Sequence, residues 1–174
     1  MSKCVVTEPS SFEEAVEDPA WVDTMVEEYD SIVRNSAWEI VPRPEGKSVV
    51  GSRWIYKVKQ AADGSVEKYK ARFVARGFSQ IEGIDYEETF APVARYSSIR
   101  TILSLSAQMG WHIHQMDVKT VLLNRVIKEE AYIEQLEGFE IFSSESHVCR
   151  LKRALYGLKQ APCAWYTWID SYFT

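Results

Sequence analysis

Polar and apolar residues alternate with two different periods along this chain, and the change of period marks its elements. Between Pro19 and Asn35, Val22, Met25, Val26, Tyr29, Ile32 and Val33 recur at spacings of three and four, the repeat of one helical face. Asp18 can cap that helix and Pro19 can occupy its first turn, so an amphipathic helix is predicted to end near Asn35. From Ser48 to Gln60 the period falls to two. Val50, Ser52, Trp54, Tyr56 and Val58 share one face, while Arg53, Ile55, Lys57 and Lys59 share the other. After the turn signal "ADG", Ala62 to Gly64, a second alternating run places Tyr69, Ala71, Phe73 and Ala75 opposite Lys68, Lys70, Arg72, Val74 and Arg76. The pair predicts a β-hairpin with one apolar and one cationic face.

Farther on, "SSIRTILSLSAQMG" predicts a capped helix from Ser97, with Ile99, Ile102, Leu103 and Ser106 on one side and Gly110 as its stop. "WHIHQMDV" then predicts a buried strand carrying Asp117. A short strand within "EEAYIEQLEGF" with a turn at Gly138, a strand over Val148 to Leu151, and a helix from Pro162 complete the series. Helices and hairpins in mixed order imply an α+β fold rather than a doubly wound one.

Composition adds bounds. The 174 residues, 46% apolar and 26% charged, suit one soluble core. No run approaches the ~20 apolar residues that span a bilayer, and "MSKCVVTEPSS" lacks a signal-peptide core, so an intracellular protein with no membrane partner is expected, cytoplasmic or nuclear. Cys4, Cys149 and Cys163 are widely spaced and odd in number, which suggests neither a disulfide framework nor a zinc site. His112 and His114 share a strand face but lack a third ligand at suitable spacing, and the six tryptophans fit core positions better than base-stacking ones.

Charge changes the picture more. The net charge of −5 hides an acidic first fifty residues, followed by a hairpin in which seven basic residues between Arg53 and Arg76 face only Asp63 and Glu67. Such a face suits phosphates, although long cationic side chains also solvate and protect exposed hairpins.

Three stretches together, "KYKARFVARGFSQIEGIDYEETFAPVARYSSIR", "HQMDVKTVLLNRVIKEEAYIEQLEGF" and "VCRLKRALYGLKQAPCAWY", resemble the reverse transcriptase of copia-type LTR retrotransposons. The upstream "WEIVPRPEGKSVVGSRWIYKVK" continues the likeness, which runs from Phe12 to Phe173. The resemblance implies a right-hand polymerase fold, with fingers and an incomplete palm built from a mixed antiparallel sheet and helices. It implies a tail over residues 1–10 and a reverse transcriptase domain over 11–174, truncated before the aromatic-x-Asp-Asp hairpin. The implied function is RNA-directed DNA synthesis by two-metal chemistry with Mg²⁺, using deoxynucleoside triphosphates, an RNA or DNA template-primer and the remainder of a Pol polyprotein.

By that resemblance Asp117 matches the first palm aspartate, catalytic and metal-holding, with the carbonyl of Val118 as a further metal ligand. Lys70 and Arg72 match phosphate-gripping positions on the fingers, where Arg76 or Lys68 could serve instead. Tyr156, Gly157 and Lys159 match the nucleotide and template side of the palm, and Leu122 the position beneath the deoxyribose; Pro162 and Trp165 match packing positions. No Asp-Asp pair occurs in the chain, which implies a fragment inactive by itself. Alternatives are a non-catalytic nucleic-acid-binding remnant and a transposon-derived fragment without function. "DVKTVLLNR" departs from the family pattern: Val121 stands for alanine, Leu122 for an aromatic residue, and Arg125 for a glycine expected in a turn.

Overall fold

A computed structural model describes residues 7–118 and 120–174, so Cys4 lies outside the described residues. The chain opens with a single helical turn, α1 (Phe12–Ala15), whose N-cap Ser11 accepts the N–H of Glu14. Helix α2 (Pro19–Arg34) begins and ends where the sequence predicts, with Asp18 accepting the N–H of Ala20 and Asn35 closing the C-terminus. Its buried stripe differs from the expected one. Trp21, Met25 and Ile32 are buried, while Val26 and Val33 are exposed, because the stripe that meets the hairpin is rotated toward Trp21.

Strands β1 (Trp38–Pro42) and β2 (Val49–Val50) precede the long hairpin of β3 (Ser52–Gln60) and β4 (Val66–Ala75). The hairpin register places Trp54 opposite Phe73 and Tyr56 opposite Ala71, and this apolar face is buried as its alternation predicts. Trp21 of α2 meets Tyr56 and Tyr69 edge-on, at ring-centroid separations of 5.4 and 4.8 Å. The Tyr56 hydroxyl is directed at Met25 Sδ, and burial pushes its pKa up to about 12. The opposite face sets Lys57 beside Lys70 and Lys59 beside Lys68, like charges across the strands. Such pairs are unfavourable unless anions or other carboxylates offset them.

A second, four-stranded sheet is ordered β1-β6-β5-β2, with β5 (Tyr132–Ile133) and β6 (His147–Leu151). Its β1/β6 and β5/β6 pairs are antiparallel, and β2/β5 is parallel. The arrangement is α+β. Phe73 joins the two sheets' cores, edge-on to both Trp38 and Trp54. Burial also pushes the Cys149 thiol on β6 up to about 12, which keeps it protonated and unreactive.

Three expectations are corrected. Residues 111–118 form no strand and are exposed, with Met116 82% accessible, because no described strand pairs with them. Helix α3 (Tyr96–Met109) ends at Gly110 with φ of +69°, as expected, but it begins after Arg95 without a side-chain cap rather than at a Ser97 cap. Ile99, Ile102 and Leu103 are exposed, and Ser106 is its sole buried residue. Finally, Trp111 and Trp168 are exposed, while Trp21 and Trp54 occupy the core. Helix α4 (Ala161–Phe173) carries Pro162 in its first turn as predicted. No helix among the described residues is long and apolar enough to cross a membrane.

Candidate nucleotide and nucleic-acid site

A cleft of about 780 Å³ lies between α2, the cationic face of β4 and the segment carrying Asp117. Lys68, Lys70 and Arg72 reach it from β4 because they occupy alternate positions on one strand face. Asp117, Val118 and Val121 line another side, and Tyr156 comes from the connection between β6 and α4. Arg72 lies over the Tyr156 ring, 4.0 Å from its centroid, a cation–π contact that favours its position at the cleft. Desolvation, reinforced by Arg72 and Lys59, lowers the pKa of Lys70; Glu28 acts against this. The cluster therefore gains from a bound anion.

Other residues implied by the resemblance fall elsewhere. Leu122 packs against the core and does not line the cleft. Gly157, at φ +91°, is fixed by close backbone approach: a Cβ there would lie 2.1 Å from the Ala75 carbonyl oxygen. Its own carbonyl oxygen would lie 2.0 Å from a Cβ on Gly77, so these two glycines let the β6–α4 connection cross the end of β4 main chain to main chain. Arg76 donates its backbone N–H to Gly51 and is exposed beside it, and Lys159 is exposed with its N–H on Gln80 Oε1 at 2.8 Å. Gln80 and Gln160 are buried together, their amides bonded at 3.2 Å, and Gln160 also donates to the Asp85 carbonyl. That network holds the segment containing Tyr156 in place.

Arg125 does not have a positive φ, so its backbone does not demand the glycine expected there. Its side chain instead stacks on Trp168 at 3.8 Å and tethers the loop to α4.

One cleft residue stands outside the predicted set. Glu28 belongs to the acidic first fifty residues, yet it lies on the same helical stripe as Trp21, Met25 and Ile32 and lines the cleft. A carboxylate within a buried stripe was the available signal.

The reverse transcriptase (RNA-dependent DNA polymerase) family matches residues 35–174. This chain belongs to that family. The chain is 43% identical over 168 residues to the retrovirus-related Pol polyprotein from transposon TNT 1-94 of Nicotiana tabacum, covering 95% of the chain and 13% of that protein. It is 39% identical over 173 residues to the corresponding polyprotein from transposon RE1 of Arabidopsis thaliana, covering 99% of the chain and 12% of the relative. The transposon Ty1-BL Gag-Pol polyprotein of Saccharomyces cerevisiae is 31% identical over 166 residues, covering 90% of the chain and 9% of that polyprotein. The likeness is thus to the reverse transcriptase region of copia-type Pol polyproteins, and the chain spans about an eighth of the length of the first two relatives. No solved structure matches it.

Family membership suggests a divalent metal. Asp117 supplies a hard oxygen donor, which suits such an ion. It is one carboxylate, however, and no group of three or more His, Cys, Asp or Glu residues among those described is placed to hold a metal. The described residues therefore do not by themselves fit a two-metal centre.

Proposed function

We propose that this chain forms the fingers and first part of the palm of a right-hand polymerase, a domain over residues 11–174, and that its cleft receives the triphosphate of an incoming deoxynucleotide. Support comes chiefly from one observation: Lys70, Arg72, Asp117 and Tyr156, far apart in sequence, line the same cleft. In this reading Lys70 and Arg72 bind phosphate oxygens, and Tyr156 steadies Arg72 by a cation–π contact while lining the nucleotide side of the cleft. Gly157 shapes that connection, and Leu122 supports it from the core. Lys68, Arg76 and Lys159 contact the template-primer backbone. Asp117 and the Val118 carbonyl contribute to Mg²⁺ binding in the complete polyprotein, which acts in the cytoplasm or nucleus. Glu8 ties the preceding segment to this domain by accepting from Lys57 Nζ and the Val58 N–H.

Fluorescence anisotropy with a labelled deoxynucleoside triphosphate tests the cleft. Lys70→Ala and Arg72→Ala should each weaken binding by on the order of tenfold, the usual worth of one charge-assisted hydrogen bond; unchanged affinity in both would remove the assignment. With a single candidate metal carboxylate, the isolated 174-residue chain should bind without extending an oligo(dT)-primed RNA in Mg²⁺. Clear incorporation would overturn its assignment as inactive.

A second reading, a non-catalytic nucleic-acid-binding remnant, is favoured by the facing Lys57–Lys70 and Lys59–Lys68 pairs. It predicts salt-sensitive binding to single-stranded RNA. Retention of that binding after joint alanine substitution of Lys68, Lys70, Arg72 and Arg76 would defeat it.

A further inference from the structure

The cleft holds an anion of its own making. Glu28 projects from α2 onto the β4 edge, where its Oε1 accepts the Phe73 N–H at 3.4 Å. It shares the cleft with Lys70 and Arg72. Glu27, one residue earlier, points outward and pairs with Lys68 at 3.6 Å as an exposed, water-screened contact. The two neighbouring carboxylates are therefore not equivalent. One is a surface partner, and the other is partly withdrawn from water between a helix and the strand that carries the cations.

We infer that Glu28 is the internal counter-ion of the cleft, a positioning residue that partly offsets the charge of Lys70 and Arg72 across shared space, without a direct ion pair, and opposes an incoming polyphosphate there. This inference rests on the phosphate-binding role proposed above. Three observations carry it. Glu28 occupies a buried-stripe position where an apolar residue would satisfy packing alone. β4 gathers Lys68, Lys70 and Arg72 while Lys59 reaches in from β3, a concentration of like charge that an adjacent carboxylate relieves. Arg72 is also drawn toward the Tyr156 ring, 4.0 Å from its centroid, which favours its place in the cleft that Glu28 shares.

Burial raises the Glu28 pKa, and Arg72, the Phe73 N–H and Lys70 restrain that rise. A polyphosphate that takes over those cations removes the restraint, so binding should drive Glu28 toward its neutral form. The remaining charged groups of the cleft are Glu27 and Arg34 on α2 and Asp117 opposite; Glu27 and Asp117 also oppose an anion. Glu28 is distinguished from them by its hydrogen bond to the β4 main chain at Phe73.

The test is calorimetric binding of inorganic tripolyphosphate to the 174-residue chain at pH 5 and pH 8. Glu28→Gln should bind more tightly than wild type at pH 8, by on the order of fivefold, as expected for removing one nearby like charge at an effective dielectric intermediate between water and protein. The advantage should shrink at pH 5, where Glu28 is more protonated. Glu27→Gln should change affinity less than Glu28→Gln at pH 8. Equal binding by wild type and Glu28→Gln at both pH values, or weaker binding by the variant, would overturn the inference while leaving the cleft a phosphate site. Absence of binding in all three proteins would overturn the phosphate reading, and this inference with it. An independent measurement needs no variant: the Glu28 carboxyl carbon, followed by NMR in the wild-type chain, should titrate at higher pH with saturating tripolyphosphate than without. An unmoved midpoint would count against the role as decisively.

Discussion

Gly157 shows how much a single missing side chain decides. A methyl there would collide with the Ala75 carbonyl oxygen at 2.1 Å and Val74 Cγ1 at 2.6 Å, in a backbone conformation that L residues disfavour. Gly157→Ala should therefore lower stability by on the order of 3 kcal/mol, read as a fall in urea midpoint. Gly46→Ala, at φ +69° but with open space around it, should cost only about 1 kcal/mol. Glu28 gives a prediction of a different kind. Its folded pKa is raised, so the stability it contributes is fully present below the unfolded pKa and is lost as pH rises through the folded pKa. Glu28→Gln should abolish that loss, and melting temperatures of the two proteins should move apart in the variant's favour from pH 4 to pH 8. The tight turn and close approach at Gly157 could not be derived from the letter G alone, because they depend on β4 passing behind it.

The elements divide according to whether their partners are nearby. In the hairpin, alternation fixed both faces, since each strand finds its neighbour across a short turn where Gly64 adopts φ +82° and Asp63 accepts the Ser65 N–H. Helix α2 was equally legible at its ends, because Asp18 and Pro19 act locally; Asp18→Ala should cost about 1 kcal/mol in chemical denaturation. Its buried stripe lies a partial turn from the one the apolar pattern predicts, because that pattern does not say which side meets Tyr56 and Tyr69. Residues 111–118 and α3 were legible only in period. Their apolar residues promise burial, yet a pattern cannot supply the surface that would cover it. The contrast is measurable: Ile32→Ala, fully buried in α2, should lose about 2–5 kcal/mol, whereas Ile102→Ala, 60% exposed on α3, should stay within about 0.5 kcal/mol.

Across the whole molecule, the acidic N-terminal segment and the basic hairpin are brought face to face. Glu8 and Glu28 each place a carboxylate against a backbone N–H of the hairpin, on Val58 and Phe73, so the cationic ribbon is flanked by anions on both strands. Average charge therefore says little about what the cleft attracts. The candidate site is visible as separate motifs, while the inclusion of Glu28 and the packing of Leu122 against the core rather than in the cleft depend on tertiary packing.

The pairing of β1 with β6, Trp38 opposite Leu151, also sets a timetable. Ribosomes add roughly 5–20 residues per second, whereas a hairpin closes in about 1–10 μs, so β3 and β4 are joined long before β6 exists. During those seconds Ile40 and its neighbours on β1 have no strand beside them and are open to chaperones or to a second nascent chain. Pulse-labelled hydrogen exchange during refolding should accordingly protect hairpin amides before those of β1.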